Sequence, residues 1–148
     1  MKLNFLQADV PLTKSFKRVQ NAIQKSSYPS VINFTSSELA ANDLAQFVTH
    51  LRKQALKGMC LLKGELQRPL VNESRAGSTD SNALTDWVCL DVDGVDVQSV
   101  EHFLQMVGLD NISYVVQYSA SYKVSDKLLR CHIFMQLIKP MPAPLLKQ

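Results

Sequence analysis

Two short patterns in this chain of 148 residues have the residue types and spacing to do chemistry. In the first, Asp91 and Asp93 stand two positions apart at the end of the run TDWVCLDVDG. Successive side chains of a strand alternate between faces, so in a strand both carboxylates project from one side, about 7 Å apart along the backbone. Paired carboxylates offer hard oxygen ligands to Mg²⁺ or Mn²⁺, and such an ion completes its shell with phosphate oxygens and water. In the second, Arg130 and His132 are also two apart, within LLRCHIFMQLI, and Cys131, Ile133, Met135 and Leu137 take the opposite face. An arginine fork grips phosphate in bidentate fashion, and an imidazole can donate to a phosphate oxygen near the metal. Each pattern alone has a plainer reading, as polar residues ending a strand before the Gly94 turn and as a hydrogen-bonded core histidine. On one shared sheet face they make a seat for a metal-bound triphosphate.

Such a face needs a particular set of elements. Val88, Leu90 and Val92 alternate with Trp87, Cys89, Asp91 and Asp93, which reads as a strand. Val97 to Val107 reads as a helix with Val100, Phe103, Leu104 and Val107 inward and Gly108 as its stop. Ile112 to Ser119 reads as a second strand, a polar turn follows near Lys123 to Lys127, and the Arg130–His132 strand comes third. PMPAPLLKQ looks like the approach to another helix. The fold class is therefore α+β. Residues 86–148 form an RRM-like βαββ(αβ) unit, its mixed or antiparallel sheet covered by helices on one face and open on the other. Residues 1–85 form a preceding α/β unit, and together the two make one domain, 1–148. In that N-terminal part an irregular start leads to a short basic helix around Lys14 to Gln24 and a break at Tyr28-Pro29. Val31, Ile32 and Phe34 suggest a short strand. Thr35 and Glu38 have the spacing of a capping box, and a helix carrying Ala40, Leu44, Phe47, Val48, Leu51 and Ala55 ends at Gly58. Met59 to Leu62 suits a buried strand, and residues 72–85 are polar enough to be a surface loop.

Composition sets the limits. A hydrophobic share of 46% with 5 Gly and 6 Pro excludes a disordered or collagen-like chain. No apolar run is long enough to span a membrane, and Lys2, Asp9 and Lys14 interrupt any signal-peptide core, so a cytoplasmic location is expected. Cys60, Cys89 and Cys131 are far apart and sit in apolar runs, which points to buried free thiols. His50, His102 and His132 have no ligand-spaced partner, which argues against structural zinc. The net charge of +3 hides an asymmetry, +6 over residues 1–75 and −3 over residues 76–148. A basic surface beside an acidic cluster suits a polyanion held next to a metal.

WVCLDVDG followed by SASY and LRCHIF resembles the archaeo-eukaryotic primase superfamily, in particular the N-terminal primase-polymerase region of phage and plasmid replication proteins, over roughly residues 30–148. The resemblance implies that Asp91 and Asp93 are catalytic metal ligands and that His132 is catalytic and contacts the phosphates of the incoming nucleotide. The family has Ser where this chain has Arg130. Ser119 and Ser121 on the neighbouring strand are the candidates for the missing hydroxyl, and Arg130, Lys63 and Arg75 for further nucleotide or template contacts. The family's third acidic motif has no counterpart before Gln148, with Asp96 and Asp126 in the wrong places for it, so the resemblance implies an incomplete catalytic domain. It also implies a two-metal Mg²⁺ or Mn²⁺ site, NTP or dNTP as substrate, a single-stranded DNA template, an accompanying helicase domain or protein, and no membrane. The location would be the host cytoplasm for a phage-encoded chain.

Two other classes compete. LDVDGVD also resembles the signature of haloacid-dehalogenase-like phosphatases, with Asp91 as nucleophile and Asp93 as acid/base, but that signature normally opens a parallel-sheet domain. A non-catalytic single-stranded nucleic-acid-binding module would use Trp87, Phe134 and Tyr122 as exposed stacking groups.

Overall fold

A computed structural model describes residues 1–27, 30–124 and 126–147, and it is an α+β structure of mostly antiparallel sheets with two α-helices among those residues. The Tyr28-Pro29 break lies outside the described residues. The chain forms two compact units: Met1–Thr13 with Tyr28–Val88 and Gln136–Gln148, and Lys14–Ser27 with Cys89–Met135. The second unit therefore begins inside the Asp91 strand, and it takes in a segment from near the N-terminus.

In the first unit the N-terminal segment, expected to be irregular, is strand β1 (Lys2–Gln7). It pairs antiparallel with β4 (Asn33–Ala40) on one side and β5 (Cys60–Leu61) on the other. Leu3, Asn4, Phe5 and Leu6 are all buried, so the alternation that marks a half-exposed strand is missing from the sequence. Asn4 tolerates burial because its Nδ2 donates to Glu65 Oε2 at 2.9 Å. Thr35 and Glu38 do not cap a helix. They belong to β4, opposite Gln7 and Asn4 of β1, and the sheet ladder outcompetes the local capping pattern. Val31 and Ile32 precede that strand.

The helix α1 (Leu44–Ala55) starts later, at Asp43, whose Oδ1 accepts from Gln46 N at 2.8 Å while Gln46 Oε1 accepts from Asn42 N at 3.0 Å. Replacing Asp43 by Ala leaves a helix N–H without its acceptor and lowers stability by about 1 kcal/mol, readable by urea denaturation. Phe47 and Leu51 bury the inner face of α1. Phe47 meets the Trp87 ring at 5.9 Å, and Trp87 Nε1 donates to Lys2 O at 2.9 Å.

Residues 72–85 are largely exposed, as expected, but two short bridges tie them down. β7 (Glu73–Ser74) joins β4, and β8 (Thr79–Asp80) joins β6 (Glu65–Leu66). Arg68 holds Glu73 with a two-pronged contact at 2.5 and 2.6 Å, which depresses the Glu73 carboxyl to about 2. A depressed carboxyl contributes stability above its unfolded value and loses it as pH falls through the folded one. In a carboxyl-detected NMR titration Glu73 should titrate near 2 in the wild type and return towards 4.5 in Arg68→Ala.

In the second unit the expected basic helix around Lys14 to Gln24 is instead a hairpin, β2 (Ser15–Val19) and β3 (Ala22–Ser26). Gln20 supplies the left-handed turn conformation at φ 55°. The remaining elements follow the expected order: β9 (Leu84–Val95), α2 (Val100–Met106), β10 (Tyr114–Tyr118) and β11 (Leu129–Pro142). They build a sheet of order β10-β11-β9, with β11 in the middle. Ser99 Oγ caps α2 by accepting from His102 N, and Val100 and Leu104 are buried. Val107, expected inward, lies beyond the last helical turn and is exposed. On β11 the apolar face of Leu129, Cys131, Ile133 and Met135 is buried, as its alternation predicts. A short 3-10 helix, Ala143–Lys147, follows β11.

Candidate functional site

Both residue pairs meet on one face of the β10-β11-β9 sheet. Asp91 Oδ1 lies 3.3 Å from His132 Nε2, and Asp93 Oδ1 lies 3.3 Å from Arg130 Nε. The pairs match in reverse order, Asp91 with His132 and Asp93 with Arg130, as antiparallel neighbours require. Period-two alternation aims each pair at one face, and strand pairing aligns those faces. The acids stand outermost, 62% and 86% exposed, while His132 and Arg130 are held lower at 34% and 19%. The acids are thus open to a cation from solvent, and the cationic side chains are already positioned by the protein.

A third row completes the face. Gln117 of β10 stands opposite His132 in the register, and its Oε1 is 3.4 Å from His132 Nδ1. An imidazolium would donate to both Gln117 and Asp91, which suits a ring that must present N–H to an anion. Ser119 N donates to Arg130 O at 3.0 Å, which places Ser119 beside Arg130, and Ser119 Oγ pairs with Ser121 Oγ at 3.0 Å. The hydroxyls named from the sequence therefore flank the arginine. Gly94, at φ 82°, stays within β9 rather than turning out of it. A side chain there would be strained and would crowd Arg130.

Arg130 does not present an open fork. Nη1 and Nη2 both bind the Asp126 carboxylate, the second at 3.0 Å, and Nε faces Asp93. The hydrogen bonds from Arg130 pull the Asp126 carboxyl below its ordinary value, and those same bonds raise Arg130. Asp126 and Gln117 are the residues that sequence reasoning left without a role. The signal for Asp126 was its place four residues before Arg130 across a tight turn. The signal for Gln117 was its lone amide in YVVQY.

Other expectations are corrected. Trp87 and Phe134 are only 4% and 2% exposed, so neither can offer a stacking face to a nucleic-acid base. Both are buried because large aromatic surfaces fill the core next to their strands. Tyr122 instead stacks on Tyr118 with ring centres 4.3 Å apart, and Lys123 Nζ lies 5.0 Å from the Tyr122 ring centre. Lys63 and Arg75 belong to the first unit, where they line a cavity.

Among the described residues no group of three or more His, Cys, Asp and Glu side chains is arranged to hold a metal ion. The donor set at Asp91 and Asp93 fits Mg²⁺ or Mn²⁺ of the kind that takes one or two carboxylates and fills its shell from substrate phosphate and water. Compared with protein-family models, curated proteins and solved structures, the chain matches none. The functional reading rests on the face itself.

Proposed function

We propose that this face binds a metal-chelated nucleoside triphosphate and serves primase-polymerase-like nucleotidyl transfer, adding NTP or dNTP to a 3′-hydroxyl on a single-stranded DNA template. The observation that carries the reading is the matched meeting of Asp91-x-Asp93 with Arg130-x-His132 on adjacent strands. The strand order also supports it. A helix crosses from β9 to the far strand β10, and β11 returns between them, which is the arrangement of an RRM-like unit.

In this proposal Asp91 and Asp93 hold Mg²⁺ or Mn²⁺, which when bound would neutralise phosphate charge and align the α-phosphate. His132 donates to a phosphate oxygen, and Arg130, once released from Asp126, binds another. Ser119 and Ser121 offer hydroxyls beside it, while Lys63 and Arg75 give basic contacts to template or nucleotide. A helicase domain or protein is the natural companion of such an activity. Calorimetric titration of Mn²⁺ with and without a nucleoside triphosphate tests the reading, with Asp91 and Asp93 substitutions as the decisive comparison.

The stacked Tyr118–Tyr122 pair with Lys123 favours a second reading, a single-stranded nucleic-acid-binding module without catalysis. It predicts metal-independent binding of oligonucleotides that survives loss of Asp91 and Asp93. The phosphatase reading has less support, because the neighbouring strands β10 and β11 pair antiparallel and that family uses a parallel sheet.

A further inference from the structure

The first unit contains a cavity of about 940 Å³, walled by β1, β5, the start of β4 and the 72–85 segment. That volume lies within the range of small-molecule sites. Its polar lining is one-sided: Lys63 and Arg75 bring positive charge, Ser30, Ser74 and Thr79 bring hydroxyls, and no Asp or Glu is among the described lining residues. The rest of the wall is apolar, including Leu6, Phe34 and Leu61. Arg75 acts on the interior, since its charge opposes the upward push that burial gives the Cys60 thiol.

Unbalanced cations with hydroxyl donors select a multiply charged oxyanion. The guanidinium and ammonium supply charge-assisted hydrogen bonds, and several oxygens are needed to accept them. The apolar wall selects a ligand that carries something to bury. We propose that this cavity binds a phosphate monoester with an apolar or aromatic body, its phosphate taken by Lys63 and Arg75 and its body by Leu6, Phe34 and Leu61. The inference extends the role proposed for Lys63 and Arg75 but stands on the first unit alone, and it holds whether or not Asp91 and Asp93 bind metal.

Cys60 is a built-in reporter, being partly exposed in the cavity wall while Cys131 is buried. The intact protein is alkylated under alkaline conditions with EDTA present, and the rate at Cys60 is read from its own peptide by mass spectrometry. Three probes are compared: inorganic phosphate, a nucleoside monophosphate and a short-chain alkyl phosphate. The expected result is that one or both monoesters slow Cys60 alkylation at concentrations where inorganic phosphate does not. Protection by the nucleotide alone assigns a base-bearing ligand, and protection by the alkyl phosphate assigns a lipid-like one. Lys63→Gln and Arg75→Gln, each compared with its own ligand-free rate, should weaken protection by about tenfold or more.

Repeating the measurement in Asp91→Asn/Asp93→Asn separates this site from the metal site, because protection should persist there unchanged. Absence of protection by either monoester overturns the proposal, as does protection that both the Lys63 and Arg75 variants retain in full.

Discussion

Exchanging Asp91 and Asp93 together for asparagine is expected to remove Mn²⁺-dependent binding of a nucleoside triphosphate, lowering apparent affinity by about 100-fold or more. The size follows from charge. Each carboxylate that meets a metal or phosphate-bound cation contributes on the order of 1.5 kcal/mol or more, and two lost together multiply. Asparagine keeps the shape and still offers His132 an acceptor, so the loss reports the metal rather than a disturbed sheet. Both acids are exposed, so the variant should keep its stability to within about 0.5 kcal/mol. Calorimetry with a non-hydrolysable triphosphate gives the affinity, and a denaturant melt gives the stability. Unchanged metal-dependent affinity in a folded variant would remove the nucleotidyl-transfer reading and leave the metal-independent binding module.

The second large effect runs the other way. Asp126 occupies both terminal nitrogens of the Arg130 fork, the position a phosphate would take, so it competes with the ligand from within the chain. Asp126→Asn is expected to tighten triphosphate binding by about tenfold, because the incoming phosphate no longer displaces a carboxylate. Arg130→Ala in the same background should abolish that gain. A weaker affinity in Asp126→Asn would show that Asp126 is a ligand of the site and not its competitor.

The pH dependence follows from the same contact. The Asp126 carboxyl is depressed, so the ion pair's contribution is fully present above the unfolded carboxyl value and fades only as pH falls through the lower folded value. The competitor therefore stays charged through the mildly acidic range, and protonation of Asp126 should not tighten binding between about pH 8 and pH 5.

The elements of the site were readable in the sequence to unequal degrees. β9 and β11 alternate apolar and polar residues with period two, and that pattern reports the faces of a strand without any knowledge of its partners. The β10 strand and the α2 helix were readable for the same reason. The N-terminal third was not. Leu3 to Leu6 are covered on both sides and show no alternation, Thr35 and Glu38 imitate a cap while lying in a ladder, and the 15–26 hairpin is too polar to display a period.

What the chain by itself determined is which side chains share a face: Asp91 with Asp93, and Arg130 with His132, since spacing along one strand is a local property. Only the tertiary structure decided which faces align across strands, that Gln117 backs His132, that Asp126 closes on Arg130, and that Trp87 and Phe134 are spent in the core. The physical reason is that strand register and burial are set by contacts between residues distant in sequence, and no local periodicity encodes them.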